Sequence, residues 1–350
     1  MTDILETSAI VPSVVGVGRT DFGLLTAGNL RRVSTELPHA VSWNGAQYLV
    51  GHTVEKYAPT SERMDFLRLG DSPEARALTY ATLAQLTGPT RSITASLMVG
   101  FPVEVMMNRE LANRILRELR AWLVGEHRFT VDGQEYIIVI TNVQVAAQPA
   151  GAFFAWGMSN AGKWVRSAAD LDVMVAVGDL GFNTLDIIAV EGGQVVGKYS
   201  GGDTAGIRRA AELLMRQVKE NYDVSLTRHE ADCFLRSEHP NLSCWQGEVD
   251  LTPLTTQALE TAAAGIGDFI ETRWGNGKQF RYLLFTGGGS EMVRAHLLRR
   301  YPHAQILPNP VLSNALGLAR YGRRVFKTAD TVIGLDPGFG GFKAVCLQNA

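Results

Sequence analysis

Little in this sequence suits an oxidising compartment or a membrane. There are three cysteines, Cys233, Cys244 and Cys346, with no CxxC spacing; this argues against a disulfide framework or a zinc site and fits a reducing cytoplasm. No stretch approaches the roughly 18 uninterrupted apolar residues of a membrane-spanning helix. The opening MTDILETSAIVPSVVG lacks a basic n-region and a long apolar core, so no signal peptide is expected. Positive charge is not in excess either: the formal net charge is −2, and direct wrapping of nucleic acid is not expected. The short basic runs RRYPH and GRRVFK read as solvated helix ends. Two familiar phosphate-binding signatures, G-x-x-x-x-G-K-[ST] and a full G-x-G-x-x-G, are also missing.

What remains is an ordinary globular composition, 46% hydrophobic and 19% charged over 350 residues, enough for two domains or one large one. The 36 glycines cluster, which predicts special backbone positions rather than disorder. Strands are predicted over 9–16, 93–100 and 282–285. Hairpins are predicted over 40–51 and 129–145, about the turn signals Asn44-Gly45 and Asp132-Gly133. Helices are predicted over 72–86, with Pro73 in the first turn, and over 109–124, 205–220, 256–273 and 311–321. Further strands are expected over 171–177, 184–190 and 194–199, and in the C-terminal segment TVIGLDPGFGGFKAVCLQNA. No short-period repeat or low-complexity linker is present. Two strand–turn–strand units, around Asp179 and Asp336, point to two related α/β domains facing each other.

In Asp336-Pro-Gly-Phe-Gly-Gly-Phe-Lys343 and Asp179-Leu-Gly-Phe-Asn-Thr184 a carboxylate ends an apolar strand and small residues follow. Glycine in such a turn lets backbone N–H groups converge on an anion without Cβ obstruction. An Asp cannot face a phosphate directly, because like charges repel, but it can hold the hydration shell of a Mg²⁺ that bridges phosphate oxygens. Lys343 supplies a positive point charge. One such hairpin is common in ordinary sheets. Two of them, with a third glycine cluster at Thr286-Gly-Gly-Gly-Ser290 after a strand, read as a phosphate clamp from two domains with a platform for a nucleoside.

As a set, these segments resemble the actin-like ATPases, in particular the ParM-like bacterial and archaeal group. VIGLDPGFGGFKAV resembles the first phosphate loop. VGDLGFNTLDIIAV resembles the second, D-[LI]-G-x-x-T-x-D, and YLLFTGGGSEMV the adenosine motif. ILPNPVLSNALGLARYG is similar to the segment after that motif, VAAQPAGAFFAWG to the first interdomain connector, and SGGDTAGIRRAAELL to a helix start in the second domain. The likeness spans nearly the whole chain. It implies an α/β, actin-like two-domain ATPase fold in which duplicated mixed-sheet domains flank a nucleotide cleft. The order is rotated, however, because in the family the first phosphate loop is N-terminal and is followed by a strand like AIVPSVVG. Joining Ala350 to Met1 restores that order, so the chain is expected to be circularly permuted. Residues 1–148 with 311–350 would form domain I, with the first phosphate loop at 331–343. Residues 149–310 would form domain II, with the second loop at 179–186 and the adenosine motif at 286–290.

The resemblance implies a Mg-dependent ATP hydrolase that polymerises head to tail into nucleotide-regulated filaments. Its task would be plasmid or DNA segregation through a DNA-bound adaptor, or cytoskeletal organisation. The chain itself is then the first partner, ATP and ADP the ligands, and Mg²⁺ the metal, held through water by Asp336 and Asp179 from opposite sides. Gln148, between a strand and Pro149, would orient the attacking water; a helix-capping role is the alternative. Gly338, Phe339, Gly340, Gly341 and Lys343 of the first loop, and Gly181, Phe182, Asn183 and Thr184 of the second, would take the phosphates. Family members usually carry a small polar residue at the two Phe positions, so both rings should turn away. Gly287, Gly288, Gly289 and Ser290 would carry the nucleoside, beside Arg236 and Glu238. A sugar-kinase-type phosphotransferase shares this clamp, but no motif supplies the general base it needs. An ATP-sensing assembly module with little turnover is the other alternative. The tryptophans, including Trp156, Trp164 and Trp245, are expected in the core or at interfaces.

Overall fold

The structure, a computed structural model, describes residues 4–18, 37–61, 69–204 and 206–350. Two sheets covered by helices carry the fold. The larger has ten described strands in the spatial order Ile4–Val11, Phe342–Asn349, Thr331–Pro337, Ser92–Phe101, Gln134–Ala147, Gly125–Val131, His39–Trp43, Ala46–Val50, Val15–Val17 and Thr60–Ser61. The C-terminal hairpin therefore lies inside the sheet. Thr331–Pro337 pairs parallel with Ser92–Phe101, and Phe342–Asn349 pairs antiparallel with Ile4–Val11. Every residue of Thr331–Pro337 is buried, as a near-continuous apolar strand covered on both faces should be.

The helix Pro73–Thr87 covers one face of this sheet. Ser72 starts it by accepting a hydrogen bond from the Ala75 N–H, and Pro73 occupies the first turn, where its missing N–H costs nothing. The helix Ser313–Val325 packs on the other face, against Thr331–Pro337, Phe342–Asn349 and Ser92–Phe101. The turn between His39–Trp43 and Ala46–Val50 places both Asn44 (φ 50°) and Gly45 (φ 78°) in the left-handed region, the conformation that a two-residue hairpin turn selects.

The smaller sheet orders its strands Gln194–Val195, Leu185–Glu191, Val175–Leu180, Tyr282–Thr286 and Gln305–Ile306, with Gly201–Asp203 paired to Leu185–Glu191. The helices Arg208–Tyr222, Arg228–Arg236 and Thr252–Trp274 pack together beside it. Their apolar faces build a second core around Leu214, Ile266 and Trp274.

Two helices join the halves. Gln148–Gly157 leaves the larger sheet directly from Gln134–Ala147 and packs against Ser313–Val325. Their backbones touch: a Cβ on Gly317 would fall on the Gly151 carbonyl oxygen, and one on Gly151 on the Asn314 carbonyl oxygen. Only glycine permits this approach.

The structure revises several sequence expectations. The strand expected over 9–16 is two strands, Ile4–Val11 and Val15–Val17, separated at Pro12, which has no N–H to donate to a ladder. Residues 171–177 begin instead in a short helix, Ala169–Asp172, and the strand starts at Val175. Of 194–199 only Gln194–Val195 is strand, and Gly197–Tyr199 is a single 3₁₀ turn. The helix expected over 205–220 spans Arg208–Tyr222, and Ala205 lies outside the described residues. Trp156 is buried, but Trp245 is 81% exposed, in the turn between Asn241–Cys244 and Gly247–Asp250.

Candidate active site

Asp336 lies near the end of the central strand Thr331–Pro337, directly opposite Lys343 across the C-terminal hairpin. It is 1% exposed, and the Lys343 ammonium donates to its Oδ2 at 3.0 Å. Between them the turn is closed by the Gly338 N–H, which donates to the Gly341 carbonyl at 3.1 Å. The Ser13 hydroxyl holds the Gly338 carbonyl at 2.5 Å. Gly338, Gly340 and Gly341 are not among the residues with positive φ. Space is what two of them supply. A Cβ on Gly338 would sit 3.0 Å from Lys343 Nζ, and one on Gly341 would sit 3.1 Å from the Val11 carbonyl oxygen.

Asp179 occupies the matching place on the smaller sheet, near the end of Val175–Leu180. The turn after it closes through the Gly181 N–H, donating to the Thr184 carbonyl at 2.9 Å. Asn183 and Thr184 complete the turn, and the Arg208 N–H at the start of a helix ties down the Phe182 carbonyl. Gly287 lies against Asp179, with φ 83°; any Cβ there would meet both the Asp179 carboxylate and the Leu180 carbonyl. Glycine is obligatory at this point.

An amide holds each acid, and each amide comes from the start of a joining helix. Gln148, the first residue of Gln148–Gly157, donates its Nε2 to Asp336 Oδ1 at 2.7 Å and to the Pro337 carbonyl at 2.7 Å. Asn314, the second residue of Ser313–Val325, donates its Nδ2 to Asp179 Oδ2 at 2.7 Å. Its Oδ1 is buried with no partner. Since the two helices pack on each other, the two acids are braced against one scaffold.

The two acids lie near enough for their charges to act on each other. Burial raises the Asp179 carboxyl most, and repulsion from Asp336 raises it further, to about 7; Lys343 and the Asn314 hydrogen bond pull the other way. Burial depresses the Lys343 ammonium, but attraction from Asp336 and Asp179 outweighs it and the net direction is up. Two carboxylates that repel across a cleft and are neutralised only in part by one lysine fit a hard divalent cation. Among the described residues no group of three or more His, Cys, Asp or Glu could ligate a metal directly.

The structure thus brings Gln148, Asp179, Asp336 and Lys343 within reach of one another. Phe182 and Phe339 each pack on the core of their own half, yet both also line a cavity between the halves with Ser13, Glu55, Asn183 and Gly340. Gly340 approaches Phe182 closely enough that an added Cβ would sit 3.5 Å from its Cβ. In the adenosine-like motif, Gly289 and Ser290 are buried, and the Ser290 hydroxyl closes its own turn on the Gly287 carbonyl at 2.7 Å. Arg236 reaches the motif, donating to the Gly288 carbonyl at 3.3 Å, while Glu238 is exposed. Sequence reasoning did not single out two buried polar residues of the cleft, Asn314 and Asp186. Each stands inside a segment quoted above, but its importance comes from contacts made across the fold.

Residues 2–151 match the family of actin like proteins, N terminal domain, and residues 177–299 match the archaeal actin homologue MreB-like, C-terminal family. The chain belongs to the actin-like proteins. No curated protein matches the sequence. Among solved structures, the archaeal actin homologue Ta0583 is similar at 18% identity and a TM-score of 0.68, covering 93% of this chain and 100% of its own; it is also matched in a complex with ADP. The apo psk41 ParM protein is 17% identical with a TM-score of 0.63, covering 91% of each chain. The subunit of a 15-stranded ParM filament from Clostridium botulinum is 17% identical with a TM-score of 0.65, covering 93% of this chain and 100% of that one. At such identities these likenesses speak for the fold, which is the actin-like two-domain architecture. Among the described residues, no helix of this actin-like protein is long and apolar enough to cross a membrane.

Proposed function

We propose that this actin-like protein is a Mg-dependent ATPase that polymerises head to tail into nucleotide-regulated filaments. The observation that carries the reading is the pair Asp336 and Asp179, each braced by an amide from one of two packed helices and both facing the same cleft as Lys343. Mg²⁺ held there through water would neutralise charge on the phosphate oxygens. The chain's own groups would do the rest. Lys343 offers a cation to the phosphates, the backbone N–H groups of 338–341 and 181–184 offer donors, and Gln148 positions water next to Asp336. Gly287 and Gly288 offer bare backbone to the nucleoside, with Arg236 beside them. Domain I would comprise 1–148 and 311–350, and domain II 149–310.

Filament formation follows from two domains whose outer faces change relation as the cleft closes on ATP; a contact that does not close on itself then propagates as an open polymer. The relatives that form filaments support this, and a DNA-bound adaptor would give the polymer cargo. The place of the C-terminal hairpin, between Ile4–Val11 and Ser92–Phe101, supports the proposal that the chain is circularly permuted relative to its family. Electron microscopy of the purified protein with Mg-ATP, Mg-ADP and no nucleotide tests the proposal. Filaments with ATP alone, and phosphate release on the same timescale, are expected; a monomer under all three conditions with no phosphate release overturns it.

One observation favours a second reading, an ATP-sensing assembly module with little turnover. Gln148 spends its amide nitrogen on Asp336 and Pro337, leaving only its carbonyl oxygen to direct a water. Light scattering with ATP and with a non-hydrolysable analogue separates the two: assembly that never reverses with ATP favours the module.

A further inference from the structure

Asp186 is 2% exposed and lies on Leu185–Glu191, directly opposite Asp179 in the antiparallel pair. Its Oδ1 accepts a hydrogen bond from the Val103 N–H at 2.9 Å. Val103 belongs to the other half of the molecule. It follows Pro102 at the end of Ser92–Phe101 and opens the short helix Val103–Met107. The Val103 side chain is itself 2% exposed and packs among Val177, Ile188 and Val190 of the smaller sheet. The Thr184 hydroxyl, in the turn after Asp179, lies near enough to act on the same carboxyl and lower it. Gly202, on the neighbouring strand, leaves room for this: a Cβ there would stand 3.1 Å from Asp186 Oδ1 and 3.4 Å from Glu104.

The Val103 side of the tie leads back to the cleft. Gly100, three residues before it, is so close to the site that a Cβ would reach Gln148 at 2.9 Å and Asp336 Oδ1 at 3.5 Å. A buried carboxylate in such a place is expensive unless its hydrogen bonds are made. Burial is the main reason its carboxyl is raised, to about 6, and the Val103 N–H and the Thr184 hydroxyl oppose that rise. The bond from the Val103 N–H is what the carboxylate accepts in this place.

We propose that Asp186 is a positioning residue that couples the Thr184 turn to the opposite half of the molecule through the Val103 N–H. Thr184 has a single hydroxyl proton. When a phosphate oxygen takes that proton, Asp186 is left with Val103 alone, and when Val103 moves away, the Thr184 hydroxyl loses the group that aims it. Closure of the halves and the set of the phosphate turn are in this way linked by one carboxylate. The functional consequence rests on the ATPase reading above; the tie itself does not.

Two measurements on the full chain test the proposal. Hydrogen exchange of peptides covering 101–107, without nucleotide, should show a protected Val103 amide that loses protection in Asp186→Ala and keeps it in Asp186→Asn, whose Oδ1 still accepts. Phosphate release at saturating Mg-ATP should fall by roughly tenfold or more in Asp186→Ala while ADP affinity stays within about threefold, and Asp186→Asn should recover at least a third of the wild-type rate. Equal protection of 101–107 in wild type and Asp186→Ala overturns the proposal, and so does an Asp186→Asn protein as impaired as Asp186→Ala in both measurements. If Asp186→Ala does not fold, Asp186→Asn and Gly202→Ala, which crowds the carboxylate, carry the exchange test in its place: loss of protection in Gly202→Ala with retention in Asp186→Asn supports the tie, and the reverse overturns it. A wild-type protein that releases no phosphate at all overturns the ATPase reading, and the exchange result still decides the tie.

Discussion

Gln148 Nε2 lies 2.7 Å from Asp336 Oδ1, although 188 residues separate the two in the chain. The bond fixes an acid of the strand Thr331–Pro337 to the first residue of a helix that leads into the other half of the molecule. Gln148→Ala should therefore slow hydrolysis by roughly tenfold or more, as for a lost water-positioning group, with nucleotide affinity nearly unchanged. Phosphate release and equilibrium titration with a fluorescent nucleotide check this. Equal loss in both would make Gln148 a structural support of Asp336 only.

Asp179 sets a pH dependence whose sign can be worked out. Its carboxyl stands at about 7 in the folded protein, against an ordinary value of 3.8. As pH rises past 3.8 the unfolded chain gives up this proton while the folded chain keeps it. The folded state then holds more protons, and stability falls with rising pH until about 7. Asp186, raised to about 6, acts in the same direction. Without nucleotide or metal, the wild type should lose on the order of 1–3 kcal/mol between pH 5 and pH 7.5 relative to Asp179→Asn. Urea unfolding of both proteins at the two pH values measures it, and parallel curves would show that Asp179 ionises freely.

Asp179→Ala should abolish turnover and leave the fold intact, since it removes one of the two proposed metal anchors. Circular dichroism and phosphate release, read together, check this. Unchanged release would remove Asp179 from the mechanism.

Gly317 offers a test of opposite sign to the usual rule. Replacing a helix-interior glycine by alanine ordinarily gains up to about 1 kcal/mol. Here the added methyl would meet the Gly151 carbonyl, and overpacking of this kind costs about 1–3 kcal/mol or more. Gly317→Ala should lower the melting temperature, whereas Gly193→Ala, at a turn where nothing lies within 4 Å but φ is 74°, should be destabilised only by backbone strain. A Gly317→Ala protein as stable as wild type would mean that the helices can part at no cost.

Much of the cleft was legible in the sequence because its signals are local. An acid at the end of an apolar strand, with glycines behind it, announces Asp179 and Asp336 within eight residues each, and both were found where expected. Asn314 and Asp186 were not. Asn314 acts through Asp179, 135 residues away, and Asp186 through Val103, 83 residues away; the loop pattern that ends on Asp186 does not reveal that distant partner. The glycines illustrate a related limit. Their clustering was read as a demand for unusual backbone, yet Gly338 and Gly341 make room for side chains and strands, while Gly287 combines both needs. The strand expected over 9–16 divided because Pro12 breaks a ladder that its apolar neighbours would otherwise continue.

The contact of Gly151 with Gly317 has a mechanical consequence. Where two rods touch without side chains between them, any turning of one against the other would displace each part in proportion to its distance from that contact, as at the rivet of a pair of shears. Gln148 and Asn314 stand one helical turn from it, so such a turning would move their carboxylate partners little. The Thr227 hydroxyl donates to Glu55 at 3.2 Å, a second tie between the halves, made by side chains. A turn about the glycine contact would strain the outer tie before it disturbed the inner one.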